Sequence, residues 1–234
     1  MPNAIIVGAS SGIGAALARE LADDYDLGIA ARRTDRLEEL GREIGGAHVA
    51  TIDVTDEDCR DQFDGLVNSL GGVDLVVIAA GIGRYNPDLE WQPERDTVDV
   101  NVEGFAAIAT AAIEHFESRG SGHLVGISSV AAEIGSPTMP AYSASKAFVS
   151  RYLEGLRYRT MERDVVVTDV RPGFVDTPMA PDTDRFWECS TETAARQISR
   201  AIDAERSVAY VTRRWRLVST LLRLLPDRVR AGMM

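Results

Sequence analysis

The chain has 234 residues, 45% of them hydrophobic and 26% charged, with a net charge of −11. That balance describes one globular domain with a sizeable core, and its acidity argues against nonspecific nucleic-acid binding, which needs a basic surface. No run reaches the roughly 18 apolar residues of a membrane span, and the two cysteines, Cys59 and Cys189, lie too far apart to suggest a disulfide framework. The opening residues lack a basic leader and a long apolar stretch, so they read as a strand and not as a signal peptide. Together these features predict a cytoplasmic protein with ordinary thiols and no metal site. Lys146 is the single lysine among 25 basic residues. The arginine-rich, acidic composition fits either a salt-adapted host or an arginine-biased genome.

In chain order, residues 4–7, 27–31, 48–52, 75–80, 124–127 and 165–170 read as strands. Most are nearly continuous apolar runs, as expected of strands buried on both faces of a parallel sheet. Between them, residues 13–22, 36–44, 56–70, 94–117 and 141–161 carry helical periodicity, and a helix at 191–204 and a strand at 207–211 follow. Strand–helix alternation of this kind predicts a single α/β domain over residues 1–212, a Rossmann-like doubly wound parallel sheet with helices on both faces. Residues 213–234 form a separate basic amphipathic tail, with Leu217, Leu221 and Leu224 at helical spacing.

The first turn is the richest in signal. After the first strand come Gly8, Ala9, Ser10, Ser11, Gly12, Ile13 and Gly14, which open a helix. Glycines there allow a tight turn and close backbone approach to a pyrophosphate, and the helix N-terminus supplies amide donors. In an alternating chain this predicts a dinucleotide site. The second strand ends in Ala30 and Ala31, followed by Arg32 and Arg33, with no acid to take a ribose 2′-hydroxyl. Guanidinium groups suit a 2′-phosphate, which favours NADP(H) over NAD(H). Asp53 either reaches the adenine edge or caps the next helix.

Tyr142 and Lys146 are four apart in a predicted helix and so share a face, placing a phenol beside a cation. Taken with this pair, the ordered set of Gly8, Gly12 and Gly14, Asp53 and Val54, Ala80 and Gly81, Asn101, Ser129, and Pro172, Gly173, Val175 and Thr177 resembles the short-chain dehydrogenase/reductase family over residues 4–177. The resemblance implies an oxidoreductase moving a hydride between nicotinamide and a carbonyl or alcohol. It makes Tyr142 the acid/base, with Lys146 as its activator and ribose ligand. Ser129 becomes the hydrogen-bond partner of the substrate oxygen, Asn101 the helix-bending anchor of a water in the proton relay, and Thr177 the partner of the nicotinamide carboxamide. Ser128 is the poorer candidate, because alternation along a strand turns it the other way. A lysine cation lowers a phenol's pKa toward the working pH. The family's frequent Asn-Asn-Ala-Gly is Ile78-Ala79-Ala80-Gly81 here, which predicts altered packing beside the cofactor with the chemistry kept.

On the substrate side, Tyr85, Met179, Phe186 and Trp187 suggest an apolar substrate portion, or else pack the loop against the domain. The tail suits either an anionic membrane surface or a groove on this chain or a partner. Through the helices at 94–117 and 141–161 the resemblance implies a homodimer or homotetramer. Two other function classes compete: a dinucleotide-binding regulator without turnover, and a membrane-surface reductase or scaffold acting through the tail.

Overall fold

The structure, a computed structural model, describes residues 1–179, 187–224 and 226. Seven strands form one sheet, all parallel: β1 Asn3–Val7, β2 Asp26–Ala31, β3 His48–Thr51, β4 Leu75–Ile78, β5 Ser121–Ile127, β6 Asp164–Pro172 and β7 Val208–Val211. Their order is β3-β2-β1-β4-β5-β6-β7. The chain therefore reverses direction between β1 and β4, and a crevice opens there at the carboxyl ends of the strands.

Helices α1 Gly12–Leu21, α2 Thr34–Glu43 and α7 Thr191–Asp203 cover one face, where Leu17, Leu37 and Ile198 are fully buried with Ile6, Ile29 and Val77 of the sheet. Helices α3 Cys59–Ser69, α5 Phe105–Arg119 and α6 Pro140–Arg159 cover the other, where Phe63, Phe116 and Leu153 pack on Ile5, Val76 and Leu124. Alternate residues of a central strand thus feed separate cores, which is why these strands are apolar throughout. The doubly wound sheet predicted from the sequence is the fold observed.

Several boundaries differ for identifiable reasons. Strand β4 stops at Ile78 and not Ala80, because the amides of Ala79 and Ala80 both turn to the Val7 carbonyl, at 2.8 and 2.9 Å. Helix α3 begins at Cys59, since residues 53–56 form a turn in which Asp53 accepts from Thr55 N and Oγ1. The helix expected over 94–117 is instead α4 Trp91–Val98, a π-helical turn Asp99–Gly104, and α5. A 3₁₀ turn, Val130–Glu133, follows β5. Helix α8, Arg214–Leu224, forms the tail and rests on β7 and the 3₁₀ turn. Among the described residues no helix is long and apolar enough to cross a membrane.

Candidate active site

The Gly-rich turn lies at the reversal point. Gly8 has φ +96°, and a Cβ there would stand 2.4 Å from Ala80 N, so only glycine lets β1 and β4 close on each other. Gly12 has φ +57°, with Thr177 Cγ2 3.4 Å from where its Cβ would stand. The fold therefore brings the Gly-rich turn against the segment after β6, 165 residues away in sequence (177 − 12). Ser11 precedes α1 as its N-cap but makes no capping bond with its side chain, so the first-turn amides of the helix remain available to an anion. Ile13 is half-buried and packs on the core behind the turn.

The arginines lie beside this turn. Arg33 donates through Nε and Nη2 to Ser10 Oγ, at 3.1 and 2.8 Å, and through Nη2 to Ser11 Oγ at 2.7 Å. Burial, then the neighbouring Arg36 and Arg32, push its pKa below the usual guanidinium range, with Asp35 opposing them. Arg32 is more exposed and sits 3.7 Å from Asp53. Asp53 itself neither caps α3 nor stands alone: its carboxylate holds Thr55 and faces Arg32, while Asp58 is the residue preceding α3. Val54 is buried against Gly104 of the π turn.

The residues expected to carry chemistry come from three places: Asn101 from the π turn, Ser129 from just after β5, and Tyr142 and Lys146 from α6. Asn101, 1% exposed, lies in the π turn and accepts from Ile82 N (2.8 Å) while donating to Ile82 O (2.8 Å) and Ser145 Oγ (3.0 Å). It braces the segment after β4, whose first residues, Ala79, Ala80 and Gly81, include no asparagine. Lys146, 6% exposed, donates to Ile127 O at 3.0 Å and lies 5.8 Å from the centroid of the Tyr142 ring. Gly81 is the spacer: a Cβ there would be 3.3 Å from both Asn101 Oδ1 and Lys146 Nζ.

The Ser129 hydroxyl lies near enough to the Tyr142 phenol to act against the upward shift of its pKa. The same hydroxyl accepts from Ala131 N at 3.0 Å and approaches Pro172 O at 3.4 Å. Ser128 points elsewhere, to Asp169 and Val170 O, as strand alternation predicts.

Burial pushes the Tyr142 phenol above its ordinary pKa, and the neighbouring Ser129 hydroxyl opposes this. The Lys146 ammonium donates to the Ile127 carbonyl, and burial lowers its own pKa to about 8 against the pull of Asp169.

Around the phenol, Gly83 faces Tyr142 Cδ2, Met139 Cε and Met179 Cγ, so Met179 lies on the same side of the Gly83 backbone as Tyr142. Tyr85 is 67% exposed. Trp187 stacks edge-on with Trp215 of α8, with centroids 6.1 Å apart, and carries the Arg214 guanidinium over its ring at 5.7 Å. Phe186 lies outside the described residues. Trp215, 8% exposed, also meets Phe174 edge-on and sits directly over Gly173. Val175 is buried and forms a bridge with Cys189. The tail is thus packed onto the segment after β6 through one tryptophan.

Sequence reasoning missed Ser145, Met139 and Asp169. An acid inside the apolar run at 165–170 was a visible signal for Asp169. Nothing in the sequence distinguished Met139.

Residues 2–186 match the family model for short chain dehydrogenases. The chain belongs to this family. An uncharacterised oxidoreductase of Mycobacterium tuberculosis is 36% identical over 239 aligned positions, covering 96% of this chain and 94% of the relative. A short-chain dehydrogenase from Sphingobium yanoikuyae, solved in complex with NADPH, superposes with a TM-score of 0.84 at 22% identity, covering 97% of each chain. A 3-ketoacyl-(acyl-carrier-protein) reductase from Brucella melitensis, complexed with NADH, superposes with a TM-score of 0.82 at 24% identity over 89% of this chain and 95% of its own. This short-chain dehydrogenase is accordingly an oxidoreductase with the family's Rossmann-like sheet.

Proposed function

We propose that this short-chain dehydrogenase is an NADP(H)-dependent carbonyl reductase or alcohol dehydrogenase with Tyr142 as its acid/base. The observation that carries the reading is the meeting of Ser129, Tyr142 and Lys146 at the carboxyl edge of the sheet, beside the reversal point where the Gly-rich turn lies. The residues present fit a dinucleotide: the first-turn amides of α1 and the glycines beside them suit a pyrophosphate, and Thr177 over Gly12 suits the nicotinamide end. A bound nicotinamide supplies the hydride chemistry, and the protein supplies position and electrostatics.

Ser129 orients the substrate oxygen toward the Tyr142 hydroxyl. Tyr142 gives that oxygen a proton in reduction or takes one in oxidation. The raised pKa keeps the phenol protonated in this arrangement, so Tyr142 starts as the group that carries the transferable proton. Asn101 holds Ile82 beneath this group and keeps the strand end from shifting. Met179 and Met139 border the phenol with apolar surface, which suits an apolar substrate portion.

NADP(H) is favoured over NAD(H) by Arg33, which lies across Ser10 and Ser11 with Arg32 and Arg36 adding positive charge. The Sphingobium enzyme's NADPH points the same way, and the Brucella enzyme's NADH marks the alternative. A panel of aldehydes, ketones and alcohols assayed with both cofactors tests the reading. Turnover with NADPH is expected to exceed that with NADH. Arg33→Ala is expected to raise KM for NADPH by about 10- to 100-fold, the worth of a charge-assisted contact, and to leave KM for NADH within about twofold. Equal effects on both cofactors would remove Arg33 from the phosphate site.

A further inference from the structure

The Tyr142–Lys146 pair has a charged layer behind it. Asp169, in the middle of β6, is 1% exposed and accepts from Ser128 Oγ, the residue next to the Ile127 carbonyl that holds Lys146 Nζ. The same carboxylate takes Arg171 Nε through Oδ2 at 2.7 Å. Arg171 continues to Glu133 of the 3₁₀ turn at 2.7 Å and to the Tyr210 hydroxyl of β7 at 3.2 Å, with the Tyr210 ring 5.7 Å beneath its guanidinium. The side chains of Asp169 and Glu133 are 1% and 4% exposed and that of Arg171 is 14% exposed. Charges alternate from Lys146 outward: ammonium, carboxylate, guanidinium, carboxylate.

A buried ion pair is costly to assemble and often contributes little net stability, so an arrangement of this kind invites a search for another role. Strand geometry supplies one. Asp169 is in register with Gly126, and the missing side chain at Gly126 is where Leu153 of α6 packs, so Asp169 lies on the sheet face that α6 covers. Ser128 N is tied to Val170 O at 2.8 Å, which fixes β5 against β6 at this point. Ser128 Oγ therefore couples the carboxylate to the strand end that carries both Ile127 O and Ser129.

We propose that Asp169 is the buried counter-charge of Lys146, a positioning residue that keeps the ammonium charged and seated under Tyr142, with Arg171, Glu133 and Tyr210 fixing its carboxylate in turn. This rests on the reading of Tyr142 and Lys146 as the reacting pair. The groups that face Lys146 from neighbouring elements fit the assignment. Tyr142 on its own helix is neutral, Asn101 and Ser145 are uncharged, and Glu94 of α4 is committed to Ala141 N and Asn86. Asp169 is the charge that opposes the downward pull of burial on the lysine, and Arg171 reaches Lys146 only through it.

Because Lys146 is the single lysine, full-length protein grown on lysine carrying ¹³C at Cε reports this ammonium as one resonance. In the wild-type protein the resonance is expected to titrate with a midpoint near 8. In Asp169→Asn, which keeps the shape and the acceptor for Arg171, the midpoint is expected about one pH unit lower or more, the usual effect of losing an adjacent opposite charge. The alkaline fall of kcat, measured with NADPH and 4-nitrobenzaldehyde, is expected to move down with it. An unchanged midpoint overturns the proposal. If Asp169→Asn does not fold, Arg171→Gln serves, since removing the competing cation frees Asp169 for Lys146 and the midpoint is expected to rise. No rise overturns the proposal as well. The titration needs no turnover, so it stays decisive even if Tyr142→Phe keeps wild-type activity and the reading of the pair fails.

Discussion

Lys146 sits where a charge is unfavourable. Burial lowers its pKa from 10.5 to about 8, so at neutral pH the folded protein holds an ammonium that the unfolded chain solvates better. The sign follows from proton counting. Between about pH 8 and 10.5 the unfolded chain binds more protons, so this residue's destabilising contribution fades as pH rises through that window and is fully present below it. A position kept at such a cost is held by geometry: a carbonyl at 3.0 Å, a glycine spacer at Gly81 and the face of Tyr142. A guanidinium keeps the charge but is broader and aims its donors differently. Lys146→Arg is therefore expected to lower kcat by about 100-fold or more, the scale set by an ångström of misplacement in a reacting group. Steady-state kinetics with NADPH decides this, and near wild-type kcat would show that charge alone suffices.

Elements place these residues through contacts that a single sequence reveals unevenly. The strands were legible because burial on both faces leaves almost no polar positions in β1 and β4. The Gly-rich turn was legible because backbone conformation and close approach restrict it to glycine. Gly8→Ala is expected to destabilise the protein by about 3 kcal/mol or more and to weaken cofactor binding, since the added Cβ meets backbone at Ala80 N that has no rotamer to change. Urea unfolding together with a cofactor fluorescence titration measures both, and wild-type behaviour in both would show that β1 and β4 can move apart. The π turn at Asp99–Gly104 was not legible as such. Its extra residue per turn is stabilised by Asn101 reaching Ile82 and Ser145, partners set by the tertiary fold and not by local propensity. The late start of α3 has a similar origin in the turn at Asp53. Helix α8 was foreseen as amphipathic, but the anchoring of Trp215 over Gly173 depends on the path of β7 and has no sequence signature.

At the scale of the whole molecule, one sheet carries the proposed site residues from 8 to 177 and also a partly buried histidine. His123 on β5 is held by Thr168 at 2.8 Å, and burial lowers its pKa from 6.5 to about 4. The unfolded chain takes up a proton there first as pH falls, so stability is lost between about pH 6.5 and 4, by about 3 kcal/mol for the full shift. Replacing His123 with Gln, which keeps a hydrogen bond to Thr168 available, is expected to flatten that part of the acid limb. Urea midpoints of the two proteins near pH 7 and pH 4.5 provide the comparison, and parallel declines would assign the loss to carboxylates alone. The central claim concerns one hydroxyl at the carboxyl edge of the sheet. Its most direct test is the rate of NADPH oxidation by wild-type protein and Tyr142→Phe with a reactive aldehyde, alongside NADPH binding to each. The account predicts a loss of kcat of about 1,000-fold or more with NADPH affinity within about threefold, since only the transferable proton is removed. Turnover by Tyr142→Phe at the wild-type rate would contradict it.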